Sequence, residues 1–213
     1  INEVADLCEV AGGNIQDVAK AMGLDKRIGS KFLNVGPGFG GSCFPKDIKA
    51  FSATAKKLGI DLSIINAVQK FNQKRPLKIA SKISKYYNDN LKNITLTLLG
   101  LSFKPNTDDI RDSTSLIIAQ ELLKRGATLK VYDPKAIDNA KKEMSELLFY
   151  DNFYEACKQS NGLIIATEWN EFRALDLKRI KSLLIKPVIF DLRNIYSASE
   201  VLKLGIKYFG IGK

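Results

Sequence analysis

The sequence predicts an α/β protein in which a helical segment precedes an open, mainly parallel, Rossmann-like sheet flanked by helices. Apolar residues recur at helical spacing through roughly the first ninety residues, and short β-branched apolar runs alternate with amphipathic segments afterwards. Strands that alternate with helices are typical of a parallel, doubly wound sheet. The change of pattern predicts a helical central domain over residues 1–91 and a Rossmann-like domain over residues 92–213.

The helical part divides at its glycines and prolines. The glycine pair 12–13 separates a first helix from a short second one. Pro45 suits the first position of the next helix, and Gly59 ends it. A longer helix is predicted from about Leu62 to Tyr87, which Pro76 should kink or divide in two.

Five short apolar runs predict the strands of the sheet, namely ITLTLLG, TLKVYDP, NGLIIATEW, KPVIFDLRN and KYFGIGK. Amphipathic segments such as STSLIIAQELLKRGA supply the helices between them. Ligands of such sheets bind beyond the carboxyl ends of the strands, where GLSFKPNTDDIRDS, YDP and DLRN lie. The first of these segments contains no G-x-G-x-x-G, so this domain predicts nucleotide-sugar or substrate binding rather than coenzyme binding.

The composition excludes several kinds of site. Histidine is absent, which removes any histidine-based catalytic pair and any imidazole metal ligand. Three cysteines without close spacing predict neither a disulfide framework nor a zinc site, and they favour a reducing cytoplasm. We therefore expect no metal centre, and the chemistry must come from Cys, Lys, Asp, Glu or Tyr.

The formal charge of +10 indicates a partner class only weakly. Lysine and arginine are scattered through helices, and no RNA-binding signature or recognition-helix pattern is present, so nucleic acid is not expected. Two interpretations remain: a lysine-rich surface that maintains solubility, or attraction of an anionic small molecule such as a nucleotide. No apolar run approaches the roughly 18 residues of a membrane-spanning helix.

The stretch VGPGFGGSCFPKD, residues 35–47, carries the candidate chemistry. Its glycines allow the backbone to approach a ligand closely. Cys43 directly precedes a proline-started helix, whose positive end stabilises a thiolate. Lys46 adds a cation and Asp47 a carboxylate that could hold a water, a set that suits covalent catalysis through a thiohemiacetal and a thioester. The alternative is a tight turn before a helix with an unreactive cysteine.

The string FLNVGPGFGGSCFPKD resembles the signature of the UDP-glucose/GDP-mannose dehydrogenase family, and the resemblance covers nearly the whole chain. The segments INEVADLCE, GLDKRIGSKFL, GLSFKPNTDDIRDS, VYDP and FGIGK are similar to those of the family, in the same order. The resemblance implies an NAD-dependent double oxidation of the sugar C6 alcohol to an acid. GGSC followed by FPKD favours UDP-glucose, giving UDP-glucuronate, over the GDP-mannose and UDP-N-acetylhexosamine branches.

The resemblance also implies roles for individual residues. Cys43 would attack the aldehyde and Asp47 would position the water that cleaves the thioester. Lys46 and Arg111 would reach the coenzyme, and Arg27 would cross to the substrate of a partner subunit. Eight further residues would bind the substrate. Five lie in or beside the glycine segment: Asn34, Gly36, Gly38, Phe39 and Gly40. Three belong to the sheet domain: Phe103, Lys104 and Arg193.

These assignments have structural alternatives. Arg111 could pair with Asp108 or Asp112, Arg193 could pair with Asp191, and Phe103 could belong to the core. Cys8 and Cys157 are predicted core residues. Trp169 is predicted to pack in the same way.

Members of this family also carry an amino-terminal coenzyme domain, and no strand–glycine loop–helix unit of that kind is predicted in the 213 residues. The chain therefore resembles the central helix and carboxy-terminal domain of such an enzyme. We expect a piece that does not turn over by itself and that forms a homodimer or higher homo-oligomer through the central helix. The alternative of another class is a non-catalytic nucleotide-sugar-binding or dimerisation module.

Overall fold

The helices and strands follow the predicted order closely. The computed structural model describes residues 1–213, with four helices before the first strand. These are α1 (Asn2–Ala11), α2 (Ile15–Gly23), α3 (Phe44–Lys57) and α4 (Ser63–Tyr86). The sheet part contains β1 (Thr95–Leu99), α5 (Thr114–Lys124), β2 (Thr128–Tyr132), α6 (Ile137–Glu143), β3 (Leu148–Phe149), α7 (Phe153–Cys157), β4 (Gly162–Ile165), α8 (Asn170–Arg173), α9 (Leu177–Leu183), β5 (Val188–Asp191), α10 (Ala198–Lys203) and β6 (Lys207–Gly210).

The six strands form one sheet in the order β3-β2-β1-β4-β5-β6, and every pair is parallel. This order and the parallel pairing are those of a doubly wound Rossmann sheet, so the predicted fold class is confirmed. The strand β3 was missed, because it has only two residues and pairs with β2 alone. Its signal in the sequence is the short apolar run LLFY, residues 147–150, which was not assigned to a strand.

Side chains alternate between two cores, one on each face of the sheet. Along β4, Leu163 and Ile165 lie in one core and Ile164 in the other. Both faces are covered by helices, which is why the strands read as continuous apolar runs rather than alternating ones. Cys157 is fully buried and its pKa is raised by burial to about 12, and Cys8 is also buried, as predicted.

The helix α4 is the main departure from the predicted organisation. It is one continuous helix, so Pro76 does not divide it. Its second half carries buried residues, among them Ile79 and Ile83, into the same core as strand residues of the sheet. This burial offsets the backbone hydrogen bond that a proline removes. A continuous core therefore crosses the division proposed at residue 91, which remains a prediction.

A cluster of charges ties α1 to α4. Asp6 contacts Arg75, Lys78 and Lys82 at 3.0, 2.7 and 3.4 Å. Lys82 also pairs with Glu9, whose second oxygen accepts the Gly212 amide at 3.0 Å. The end of the chain is thereby fixed against α1. No helix of the structure combines the length and the apolar character needed to cross a bilayer.

Asp6 gives the fold a testable acid dependence. Burial raises the pKa of Asp6, but the hydrogen bond from Lys78 and the charges of Arg75 and Lys82 outweigh it and hold the pKa below its ordinary value. The folded state then binds fewer protons than the unfolded chain, so this stabilisation is present above about pH 4 and is lost as the pH falls through the folded pKa. We expect Asp6→Asn to be less stable than the wild type at pH 7 and to lose less stability than the wild type between pH 5 and pH 3.

Thermal unfolding at a series of pH values measures this difference. Asp17→Asn is the matched control, because Asp17 is exposed and forms no ion pair. If the melting temperatures of the wild type and Asp6→Asn fell by the same amount between pH 5 and pH 3, Asp6 would make no such contribution.

Candidate active site

The glycine loop, residues 35–42, is held by side chains of α1 and α4. Asn2 accepts the Gly36 amide at 3.0 Å, and Arg75 donates from Nε to the Gly36 carbonyl at 2.9 Å. Asn72 accepts the Phe39 amide and donates to the Phe39 carbonyl, both at 2.9 Å. The loop is thus fixed at two backbone positions before it reaches Cys43.

These contacts change one expectation. The backbone amides from Asn34 to Gly40 were expected to wrap the sugar and diphosphate. Those of Gly36 and Phe39 are already bonded to asparagine side chains, so they are not free to bind a ligand. The amides of Gly38 and Gly40 have no acceptor within the chain. The loop therefore offers these two amides at its centre, on a backbone that the helices have fixed.

Arg75 is a buried cation that joins the loop to the charged cluster. The residue is 2% exposed, its Nη1 bonds Asp6 at 3.0 Å, and its Nη2 has no hydrogen-bond partner. A buried arginine with two firm acceptors has little freedom to move, because separating either pair would leave a polar group unsatisfied in the interior. The Gly36 carbonyl is held accordingly.

Asn72→Asp tests the clamp on Phe39. The substitution keeps the shape of the side chain, but it places a carboxylate oxygen against the Phe39 carbonyl, where an amide now donates. We expect a loss of about 2–3 kcal/mol in the free energy of unfolding at pH 7, measured by urea denaturation. The loss should shrink at pH 4 and below, since a protonated carboxyl can donate again.

Asn170→Asp is the control, because Asn170 is exposed and its side chain makes no hydrogen bond. If Asn72→Asp were as stable as this control at pH 7, the clamp would carry no energy.

The glycine loop packs directly on the segment that follows β1. The Gly41 amide donates to the Arg111 carbonyl at 2.8 Å. A Cβ at Gly40 would lie 2.2 Å from the Asp112 carbonyl oxygen, and one at Gly41, where φ is +89°, would lie 2.7 Å from the ring of Phe103. Two glycines are therefore required for this close approach.

Asp133, at the end of β2, anchors the opposite side of the same segment. One carboxylate oxygen accepts the amides of Leu101 and Ser102, at 2.7 and 3.1 Å. The other accepts the amides of Lys135 and Ala136, at 2.9 and 2.8 Å. This buried carboxylate fixes the start of the segment that carries Phe103.

A cleft of about 700 Å³ opens between the glycine loop, the starts of α1 and α4, and the ends of the strands. We call it the main cleft. Its walls include seven of the predicted substrate-binding residues, Asn34, Gly36, Gly38, Phe39, Gly40, Phe103 and Arg193. Further apolar residues line it, among them Phe32, which is 92% exposed, and Phe44. The predicted residues of the two halves of the chain therefore meet at one place.

Cys43 lies at the start of α3 and is the only exposed cysteine of the chain. Its Sγ is 3.6 Å from the Ser42 hydroxyl. The next residue, Phe44, lines the main cleft and packs edge-on against Phe39 with ring centroids 4.7 Å apart. An exposed thiol with its own helix start beside a cleft is accessible to an electrophile.

Arg111 lies near this thiol and is paired within its own segment. Its Nε and Nη2 donate to the two oxygens of Asp109, at 2.9 and 2.8 Å. Hydrogen bonds from Arg111 lower the pKa of Asp109. In turn, Asp109 raises the pKa of Arg111, and the nearby Cys43 raises it further. The alternatives that paired Arg111 with Asp108 or Asp112 were therefore wrong. Arg111 remains 70% exposed, so its guanidinium can still meet a ligand.

The other predicted residues lie off the cleft walls. Lys46 and Asp47 are exposed and form an ion pair with each other at 3.3 Å. Lys104 is exposed, with its Nζ 5.3 Å from the centroid of the Phe103 ring. Arg27 projects from the surface and pairs with Asp25 at 2.6 Å. Within this chain Arg27 does not approach the cleft, so its role at a partner's substrate stays a prediction.

Arg193 is the cation on the wall of the main cleft. Its backbone amide donates to Asp191, but its side chain does not pair with that residue as the alternative supposed. Instead, Nε donates to the Ala166 carbonyl at 2.8 Å and lies 3.2 Å from Glu168. Burial lowers the pKa of Arg193. The two terminal nitrogens have no acceptor within the chain, so they are available to an anion.

Three residues of the candidate site were not predicted from the sequence: Phe32, Asn72 and Arg75. Asn72 and Arg75 are three positions apart on α4 and so lie on one face, ahead of the buried Ile79. That spacing could have suggested inward-facing polar groups. Nothing in the sequence distinguishes a buried arginine from the exposed lysines around it. Trp169 packs, as predicted, in the core that also contains Leu163 and Ile165.

Comparison with known proteins places both parts of the chain in one family. Residues 1–74 match the central domain of the UDP-glucose/GDP-mannose dehydrogenase family, and residues 97–198 match its UDP binding domain. The chain is 46% identical, over its whole length, to the UDP-glucose 6-dehydrogenase of Rhizobium meliloti. It spans about half the length of the curated relatives it matches.

Solved structures agree with this relationship. A UDP-glucose dehydrogenase from Pyrobaculum islandicum superposes with a TM-score of 0.87 at 35% identity, over 99% of this chain and 46% of that one. An NDP-N-acetyl-D-galactosaminuronic acid dehydrogenase from Methanosarcina mazei superposes with a TM-score of 0.86 at 25% identity, over all of this chain and 47% of that one. The fold is thus shared by enzymes named for different substrates. This chain belongs to the UDP-glucose/GDP-mannose dehydrogenase family.

Proposed function

We propose that this chain is the substrate-binding and nucleophile-bearing part of an NAD-dependent UDP-glucose 6-dehydrogenase, an oxidoreductase of the reducing cytoplasm that converts UDP-glucose to UDP-glucuronate. The observation that carries the proposal is the single exposed thiol at a helix start beside the main cleft. The relatives named UDP-glucose 6-dehydrogenase support the choice of sugar. A homodimer or higher homo-oligomer through the helical part belongs to the same proposal.

The main cleft divides into an apolar and a polar part that suit a nucleotide sugar. Phe103 and the exposed Phe32 offer aromatic faces to a base or sugar ring. Arg193, with its unbonded terminal nitrogens, would bind phosphate oxygens. Lys104 would bind from the rim. The free amides of Gly38 and Gly40 would complete the site on the side of the nucleophile.

The chemistry assigned to this chain starts from a C6 aldehyde. The sulfur of Cys43 would add to the aldehyde carbon and form a thiohemiacetal. Loss of a hydride and a proton gives a thioester, and water then cleaves it to the acid and restores the thiol. Asp47, one turn further along α3, would orient that water.

The coenzyme fits this chain only as an edge contact. NAD, when bound, supplies the hydride acceptor for both oxidations. Two cations near the proposed nucleophile would hold the coenzyme: Arg111, beside Cys43, and Lys46, both largely exposed. Either would contact its anionic groups. The string GPGFGG, residues 36–41, has the spacing G-x-G-x-x-G, but no strand precedes it, so it lacks the strand–loop–helix setting of a dinucleotide-binding loop.

Calorimetry of the 213-residue chain with UDP-glucose tests the binding part of the proposal. We expect saturable binding, at least tenfold weaker binding of GDP-mannose and UDP-N-acetylglucosamine, and a loss of about tenfold in affinity for Arg193→Gln. Arg179→Gln is the control, because Arg179 stacks on Tyr154, away from the cleft. Equal affinities for the three nucleotide sugars would remove the choice of UDP-glucose.

Turnover is tested in an enzyme that combines this chain with an amino-terminal coenzyme domain of the family. We expect two NADH to form per UDP-glucose consumed. In enzyme trapped during turnover, we expect a sugar adduct at Cys43 and at no other cysteine. Binding of UDP-glucose without any turnover in such an enzyme would favour the non-catalytic module.

A further inference from the structure

A second cleft lies next to the main cleft and differs from it in charge. It measures about 450 Å³ and is enclosed by α2, by residues 30–35 and by the ends of α8 and β5. Its lining contains three cations, Lys20, Arg173 and Arg193, and no aspartate or glutamate. Neutral hydrogen-bonding groups complete it, from Gln16, Ser30, Asn34 and Asn194. We call it the basic cleft.

The cations of the basic cleft are not neutralised by the protein. Lys20 and Arg173 are exposed, and neither has a carboxylate within 4.0 Å or any side-chain hydrogen bond. Of the seven arginines in the sequence, five form ion pairs and Arg179 stacks on Tyr154 at 3.9 Å. Arg173 is the single arginine with neither kind of partner.

Arg193 joins the two clefts. It lines both of them, its side chain is 16% exposed, and its terminal nitrogens have no acceptor although its Nε is engaged by Ala166 and Glu168. Holding a nearly buried guanidinium with unused donors carries a desolvation cost, which an anion would offset. The lining of the main cleft, by contrast, includes the carboxylate of Glu3.

We propose that the basic cleft is a binding site for phosphate groups, specifically for a di- or oligophosphate held between Lys20, Arg173 and Arg193. Three cations around a cleft of this size match the two to four negative charges of such a ligand. The amide and hydroxyl groups of the lining supply further donors to its oxygens. The phosphates could belong to a free ligand or to a nucleotide that extends from the main cleft across Arg193.

Titration of inorganic pyrophosphate into the 213-residue chain at low ionic strength tests the site, with calorimetry as the readout. We expect the double variant Lys20→Gln/Arg173→Gln to bind pyrophosphate about tenfold more weakly than the wild type. Arg193 is left unchanged because it also lines the main cleft. The unfolding temperature of the double variant should match that of the wild type, since both side chains are exposed.

The matched control is Lys178→Gln/Arg179→Gln, which removes the same charge from α9, outside both clefts. We expect it to bind pyrophosphate within twofold of the wild type. Equal weakening in both double variants, or none in either, would overturn the proposal, because it would show attraction to the net charge of +10 rather than to a site.

A second titration, in saturating UDP, identifies the source of the phosphates. If UDP and pyrophosphate compete in the wild type but not in the Lys20→Gln/Arg173→Gln variant, the phosphates bound in the basic cleft are those of a nucleotide. Simultaneous binding would show a separate ligand. This inference does not depend on the proposed function, since pyrophosphate binding in a chain that fails to bind UDP-glucose would support the basic cleft and refute only the nucleotide-sugar assignment.

Discussion

Replacement of Cys43 by serine should reduce the formation of UDP-glucuronate about a thousandfold or more in the enzyme that combines this chain with a coenzyme domain. The hydroxyl is a far weaker nucleophile than the thiol, and the chain has no histidine to activate it. UDP-glucose should still bind to Cys43→Ser within about twofold of the wild type, because Cys43 does not line the main cleft. The number of NADH formed per sugar consumed should fall from two towards one, since the first oxidation does not require the sulfur.

The measurement is acid product by chromatography together with NADH absorbance, on the same samples. Cys157→Ala is the matched control, because that thiol is fully buried in the core around Leu163 and Ile165 and has no access to substrate. It should retain turnover at the temperature where it is folded. Undiminished acid production by Cys43→Ser would refute the covalent mechanism.

Gly40→Ala is expected to have the second large effect, on the fold of the site itself. The added methyl would lie 2.2 Å from the Asp112 carbonyl oxygen, well inside van der Waals contact. The backbone cannot easily move away, because the next residue is bonded to the Arg111 carbonyl at 2.8 Å. We expect a loss of about 3 kcal/mol in the free energy of unfolding. For a chain of this length that corresponds to a fall in melting temperature of about 2–4 °C per kcal/mol.

Gly13→Ala is the control for this substitution. Its added methyl would meet Cys8 at 3.4 Å, an ordinary contact, so it should be close to neutral. UDP-glucose affinity should fall with Gly40→Ala, because the segment pushed away carries Phe103. A Gly40→Ala chain as stable as Gly13→Ala would show that the two segments are free to separate.

Both of these predictions rest on the same geometry. Cys43 belongs to the helical half of the chain and one wall of the main cleft to the sheet half, and the glycines bring the two backbones into contact. Side chains that no motif contains then fix this contact. Asn72 and Arg75 hold the glycine loop from α4, and Asp133 holds the segment after β1.

Local pattern was sufficient where a residue's role depends on its neighbours in the sequence. The helices, five of the six strands, the parallel order and the burial of Cys8 and Cys157 were predicted, because apolar periodicity records which face of each element is covered. The helix after Cys43 was predicted from the preference of proline for a helix start, and it begins one residue earlier, at Phe44. The resemblance of the glycine segment to the family was equally local, and the family models confirmed it.

The tertiary structure alone decided which charged and polar groups meet. The sequence by itself could not show that Arg111 pairs with Asp109, that Arg193 takes Glu168 instead of Asp191, or that Arg75 is buried against the glycine loop. Arg75 and Arg193 contact groups that are distant in the chain, and three aspartates close in sequence compete for Arg111. The folded backbone sets the distances that select one acceptor for each cation, and for Arg75 it is the packing of α4 that does so.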